Sequence, residues 1–339
     1  MRLSKASIQW FLRIAVAISL LYLLFRFVPF SQVVKVISEA DGFWVTAAFL
    51  VVVLERLAAM SRVTILTGHL RMPLSVWKNW EISTVATFYA TFLPGELAGG
   101  AVRWYRMAQP SGQRAQAFAA LAIDRLLDTV VLIVFGIAFW LWDAPPFGTW
   151  LLDLAVVAIL GGLVATIVLL LNPKASEVFA LLVGWLPGNR VKNSLLEKIE
   201  KVLSSARAFR QLSFAKVASI LMLSVIRQVL SVVILICFAE ALAMSIGFST
   251  IGWIRSFMKV IALLPITFAG LGVREASFAI LLEPYGVPAF QAVALSLFAF
   301  MTHLVVAVFG GVLELRNMFS SASSSTVDET AVTSDTTKK

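Results

Sequence analysis

The stretch Leu93-Pro94-Gly95-Glu96-Leu97-Ala98-Gly99-Gly100-Ala101-Val102-Arg103 returns 171 residues later as Leu264-Pro265-Ile266-Thr267-Phe268-Ala269-Gly270-Leu271-Gly272-Val273-Arg274. Both read L-P-x-x-x-A-G-x-x-V-R, and the offset is the same at every shared position, so they align without a gap. Arg56 and Arg227 are separated by the same 171 residues. A constant offset over that length points to a duplicated unit. In each copy a proline and glycines interrupt an apolar run, and backbone broken at membrane depth is tolerated only where it is buried in protein or lines a cavity. A functional site is therefore expected where the two copies meet.

The membrane itself follows from composition. Of 339 residues, 60% are apolar and 14% charged, too hydrophobic a balance for a soluble globule and long enough for several spans. The net charge of +9 does not point to nucleic acid, because the basic residues lie between apolar runs, where they mark cytoplasmic loops. A single cysteine, Cys237, sits inside an apolar run; it excludes an internal disulfide and is read as core packing. The basic and apolar N-terminal stretch has no small-residue cleavage site after it, so it reads as an uncleaved first span with its N-terminus in the cytoplasm.

Full spans are expected at 8–28, 43–67, 115–142, 150–171, 214–244 and 287–313. The segments 77–106 and 251–283 carry the repeated Leu-Pro breaks, and neither arm of either makes a comfortable span. The expected fold class is an all-α polytopic membrane protein with about six full transmembrane helices plus two re-entrant helical hairpins in an inverted repeat. Residues 1–318 form one transmembrane domain, with repeat halves at about 43–142 and 214–313. The linker 172–213 is the most basic inter-span segment and reads as cytoplasmic; within it Leu195, Ile199, Val202, Leu203 and Ala206 fall at helical spacing. That pattern suits either a helix lying on an anionic leaflet or a connector docked on the bundle. Residues 319–339, rich in Ser, Thr, Asp and Lys, read as a disordered cytoplasmic tail. Counting sides, the first hairpin enters from the cytoplasm and the second from outside. Arg255 and Lys259 then fall toward the outer face.

Among the charged residues of the predicted spans, Glu55, Arg56, Asp124, Arg125, Asp128 and Arg227 form a group with three of each sign. Each costs about 2.5 to 3.5 kcal/mol at a helix centre, so each needs a partner or a function. Asp124 and Asp128 are four apart on one helix face, whereas Glu55 and Arg56 are about 100° apart and point differently. Interhelical pairing is expected. Such pairs could serve only to fix helix register, or they could line a polar cavity in which arginines face a phosphate and carboxylates orient the arginines.

The hairpins favour the second reading. If the outgoing arms begin near Gly99 and Gly270, their first N–H groups and positive dipole ends point into the membrane, an anion site in the making. Arg103 and Arg274 lie four residues further on, close enough to add charge-assisted bonds. Gly99, Gly100, Gly270 and Gly272 allow close backbone approach, either to a ligand or to a neighbouring helix, while Pro94 and Pro265 fix the breaks. Glu96 and Glu275 could pair with those arginines or carry protons. No Walker phosphate loop, G-x-S-x-G or H-E-x-x-H is present, and no catalytic residue is assigned. The Asp124/Asp128 pair is not accompanied by a second carboxylate-rich segment, so no metal and no cofactor is expected.

The Leu93-Pro94-Gly95 and Gly99-Gly100-x-Val-Arg103 segment, the Ala122-Ile123-Asp124-Arg125-Leu126-Leu127-Asp128 span, and Leu264-Pro265 with Ala269-Gly270-Leu271-Gly272-Val273-Arg274-Glu275 resemble the lysylphosphatidylglycerol synthetase transmembrane-region family, also called flippase-like integral membrane proteins. The resemblance covers roughly residues 5 to 318. It implies a bacterial inner-membrane protein that handles lipids; larger relatives flip an aminoacylated phospholipid made by an attached cytoplasmic synthetase. No such domain follows the last span here, so aminoacylation is not expected. The resulting expectation is a flippase or transporter of an anionic phospholipid or polyprenyl-phosphate-type lipid, with both termini cytoplasmic and membrane lipids as partners. The rivals are an enzyme of lipid-linked sugar or lipid modification, and a scaffold that recruits a cytoplasmic lipid-modifying enzyme. Oligomeric state is not legible.

Overall fold

A computed structural model describes residues 22, 26, 28–72, 74–92, 98–143, 213–261 and 272–336. The expected spans at 150–171 and most of 8–28, the basic linker, Pro94, Glu96, Pro265 and Gly270 lie outside the described residues. Within them the chain is all helix: α1 Phe30–Ser38, α2 Gly42–His69, α3 Val76–Phe92, α4 Ala98–Ala108, α5 Arg114–Trp142, α6 Phe214–Ala241, α7 Phe248–Ile261, α8 Val273–Leu282 and α9 Ala289–Thr336, with a 3₁₀ turn at Glu283–Tyr285.

Among the described residues three helices, α2, α6 and the Ala289–Asn317 part of α9, are long and apolar enough to cross a bilayer. At 28 residues, α2 reaches about 42 Å, beyond a hydrocarbon core of about 30 Å. The 17 residues of α3 and 14 of α7 reach about 25 and 21 Å, and α4 and α8 are shorter still; these four are the described parts of the two segments that carry the Leu-Pro motifs.

The order long, short, short, long therefore occurs twice, as α2 to α5 and as α6 to α9. The two long helices α2 and α6 pack most extensively, and they run antiparallel. Asp41, which caps α2 by accepting from Phe43 N–H at 2.8 Å, donates its own N–H to Ala241 at the end of α6. The remaining contacts cross over. Among the described helices, α3 packs chiefly on α9, and α7 chiefly on α5.

Glycines make both crossings close. A Cβ on Gly310 of α9 would collide with the Thr84 carbonyl of α3, and one on Gly136 of α5 would lie 2.6 Å from Ser256 Cβ of α7. The main apolar core gathers α6, α7 and α9 around Phe238, which stacks on Phe298 with ring centroids 5.1 Å apart. Cys237 is buried in that core, as its apolar surroundings in the sequence suggest.

The tail, which its composition leads one to expect as disordered, is helical to Thr336 as the end of α9; extending a helix already nucleated adds one backbone bond per residue fixed. Helix α7 starts at Phe248, so Arg255 and Lys259 lie past its first turn.

Candidate functional site

Glu55 and Arg227 stand at the midpoints of α2 and α6. Because those helices are antiparallel, the two midpoints meet: Arg227 Nη1 donates to Glu55 Oε1 at 2.9 Å, and Ser231, one turn further along α6, donates to the same oxygen at 3.2 Å. Arg227 also bonds Asp128 through Nη2. Asp128 in turn accepts from Arg62 Nη1 at 3.2 Å. Arg62 completes the chain by binding Asp124, with Nε at 2.8 Å and Nη2 at 2.6 Å from Oδ1, and by donating to Ser224 Oγ at 3.0 Å. Arg103 of α4 approaches the second oxygen of Asp124 at 3.7 Å. Three carboxylates and three arginines, drawn from α2, α4, α5 and α6, form one continuous ionic core.

Sequence reasoning singles out Glu55, Asp124, Asp128 and Arg227 as interior charges and gives Arg103 to the anion site instead; it misses Arg62, which bonds Asp124, Asp128 and Ser224. The signal was available: Arg62 is seven residues after Glu55 and so lies on the same face of α2. The repeat hides it, because position 233, its equivalent by offset, is valine. Glu55 and Arg56 do point differently, as adjacent helical positions must; no ion pair of Arg56 with a carboxylate occurs among the described residues. Arg125 faces outward from α5 and is exposed.

A second cluster surrounds the later copy of the motif. Gly272, at φ +82°, begins α8, and its N–H donates to Glu275 Oε2 at 2.6 Å. Glu275 is fully buried. It also binds Arg274 and accepts from Ser296 of α9 at 3.3 Å. Arg274 donates from Nε to Ser296 at 2.9 Å and lies 4.7 Å over the Phe300 ring. The helix start and arginine expected to wait for an anion are thus bound to Glu275, which takes the pairing role of its two alternatives. In the first copy, a Cβ on Gly99 would lie 2.5 Å from Ala90 Cβ, so Gly99 serves the α3–α4 contact, whereas Gly100 has nothing within 4 Å.

Between the two clusters lie further cations. Arg255 is buried and donates to the neutral amide of Gln228 at 2.7 Å. Lys259, one turn on, is exposed although nearly all of α7 around it is buried. Both act electrostatically on Glu55. His303 of α9 is likewise exposed, yet within electrostatic reach of Lys259, Arg56, Arg274 and Glu55, which belong to α7, α2, α8 and α2. At the edge of the core, Glu314 binds Arg106 and accepts from Tyr89 at 2.7 Å, tying α4 and α3 to α9.

Charged groups of this kind on helices interrupted at glycine motifs are what the sequence resemblance implies, and the family's sequence profile, described as the lysylphosphatidylglycerol synthase TM region, matches residues 10–311. The chain belongs to the lysylphosphatidylglycerol synthase transmembrane-region family. It is accordingly a membrane protein. No curated protein and no solved structure matches it, so the family assignment carries no named lipid or reaction to this chain. Within the family's matched region lie all the residues of the ionic core and of the Arg274–Glu275 cluster.

Proposed function

We propose that this chain is a flippase or transporter that moves an anionic phospholipid or polyprenyl-phosphate-type lipid across a bacterial inner membrane. The observation that carries the reading is the ionic core at mid-helix depth, built by helices of both halves. Burying charge at that depth has no packing advantage over apolar residues, so a polar path for a headgroup is the better account. The tails would remain in the bilayer.

The antiparallel α2 and α6, equivalent under the 171-residue offset, support an inverted repeat. So do the crossed contacts of α3 with α9 and α7 with α5. In such repeats the two halves rock about a fixed midplane site. We read both hairpins as re-entrant and both termini as cytoplasmic on the same grounds. Asp124 and Asp128 are engaged by arginines, which favours transport over a metal-dependent prenyl-diphosphate enzyme built on that pair.

The test is leaflet exchange. Purified protein in liposomes is challenged with acyl-labelled fluorescent phospholipids and a polyprenyl-phosphate analogue, and dithionite quenching follows the outer leaflet. Exchange well above protein-free vesicles is expected, and Arg103→Gln should slow it. Because Arg274→Ala would strand the buried Glu275, the second probe is the paired Arg274→Gln/Glu275→Gln variant. Failure of the parent to move any lipid in either direction sinks the transport reading.

A further inference from the structure

Glu314 and Asp143 are 171 residues apart, the interval of the repeat. Asp143 closes α5 and Glu314 stands near the end of the apolar part of α9, so each ends the long helix that follows a broken segment. Each holds the broken segment of the other half. Glu314 accepts from Tyr89 of α3 at 2.7 Å and binds Arg106 of α4, and three residues on Asn317 donates to Glu81 of α3 at 2.8 Å. Asp143 accepts from Ser249 at 3.2 Å and from Thr250, both at the start of α7.

The two carboxylates sit at opposite ends of the protein. Asp143 meets α7 just past the end of α6, where Ala241 receives the Asp41 N–H from the start of α2. Gln291, near the start of α9, donates to the Leu242 carbonyl at 3.5 Å, so α9 begins at that same end. Glu314 is 23 residues further along the helix (314 − 291), about 35 Å away. The ionic core lies between, at the middle of α2 and α6. Each carboxylate is also joined to that core through the helix it holds. On α4, Arg106 binds Glu314, while Arg103, three residues earlier on the same face, approaches Asp124 at 3.7 Å. On α7, Thr250 binds Asp143, while Arg255 donates to Gln228 at 2.7 Å, and Gln228 Nε2 lies 3.5 Å from Asp128 Oδ1. Arg62 binds Asp124 and Asp128 alike, so the two routes end on one guanidinium.

Resting on the transport reading above, we propose that Glu314 and Asp143 are the latches of two gates, one at each end of the path through the core, and that release of one depends on closure of the other. With both made, the core is closed at both ends. An anionic headgroup that reaches the core competes with Asp124 for Arg103 and so loads the helix that Glu314 holds; Arg62 passes the change to Asp128 and onward to α7. In the orientation proposed above, Glu314 latches the cytoplasmic gate and Asp143 the outer one.

The experiment is amide hydrogen exchange read by mass spectrometry on the full chain in lipid nanodiscs, comparing the parent with Glu314→Gln, Asp143→Asn and the double variant. Glu314→Gln is expected to speed exchange in α4 by about tenfold, equivalent to about 1.4 kcal/mol, and to slow it at the start of α7. Asp143→Asn should do the reverse, and the double variant should return both ends toward the parent. Contacts that only pack helices would leave the far end unchanged and would loosen both ends additively in the double variant; either result overturns the proposal. A second measurement locks each latch with a short, reducible bis-thiol cross-linker, between Glu81→Cys and Asn317→Cys or between Asp143→Cys and Ser249→Cys, with the buried Cys237 left in place and the link confirmed by mass. Each lock should abolish leaflet exchange of fluorescent phospholipid until reductant removes it. Reciprocal hydrogen exchange in a protein that moves no lipid would refute transport alone, and lipid movement that continues with either lock in place would refute this inference alone.

Discussion

Replacing Arg62 by methionine is the sharpest probe of the ionic core. The side chain is 4% exposed and bonds Asp124, Asp128 and Ser224. Methionine keeps the length and removes every one of those bonds. Asp128 retains Arg227, but Asp124 is left with only the 3.7 Å approach of Arg103, so one buried carboxylate loses its neutralising partner. Breaking a buried pair on one side costs about 3 to 5 kcal/mol, most of it the penalty of the stranded charge. Adding Asp124→Asn removes that charge and should return about half the loss, so the double variant is expected to be more stable than Arg62→Met alone. The assay is unfolding of the purified protein in mixed micelles by titration with dodecyl sulfate, followed by tryptophan fluorescence. Two results would refute the reasoning. One is a single variant within about 1 kcal/mol of the parent. The other is a coupling between the two positions below about 0.5 kcal/mol, the level at which independent sites simply add.

Gly310→Ala should destabilise by about 1 to 3 kcal/mol, because its Cβ meets a backbone carbonyl at Thr84 that cannot turn aside; Gly100→Ala, with open space around it, should be neutral or gain up to about 1 kcal/mol of helix propensity. The same unfolding titration compares them, and equal effects would contradict the close α3–α9 crossing. Glu314→Gln weakens the anchor shared by Arg106 and Tyr89, and faster amide hydrogen exchange in α4 is the expected sign; protection unchanged from the parent would show that the contact does not hold that helix. Glu275→Ala leaves Arg274 and the Gly272 N–H without their acceptor, so a loss of about 2 kcal/mol or more is expected on thermal unfolding, with part of it recovered by adding Arg274→Ala.

The helices were largely legible because the signals for them are local and physical. Apolar runs of span length give α2, α5, α6 and α9 to within a few residues at their starts, and α3, α4, α7 and α8 fall in the two segments that carry the Leu-Pro motifs. Where the reading strayed, a competing effect explains it. The tail's composition argues against a core of its own, yet α9 runs into it from an anchored helix.

The site was harder to read, and the reason lies in what a duplication preserves. It conserves backbone register, so Arg56 and Arg227 fall at equivalent places on α2 and α6. It does not conserve their partners. Glu55 precedes Arg56, but the equivalent position before Arg227 is Ile226, and Asp124 and Asp128 correspond to Leu295 and Ala299. Only the first half supplies the core carboxylates Glu55, Asp124 and Asp128. Arg227 of the second half must cross to Glu55 and Asp128, and among the described residues Arg56, its equivalent, forms no ion pair with a carboxylate. The cations of α7 depart in the same way, since positions 84 and 88, the equivalents of Arg255 and Lys259, are Thr84 and Phe88. A search for identity passes over these departures, yet the departures are what make the charged residues of one half unlike those of the other.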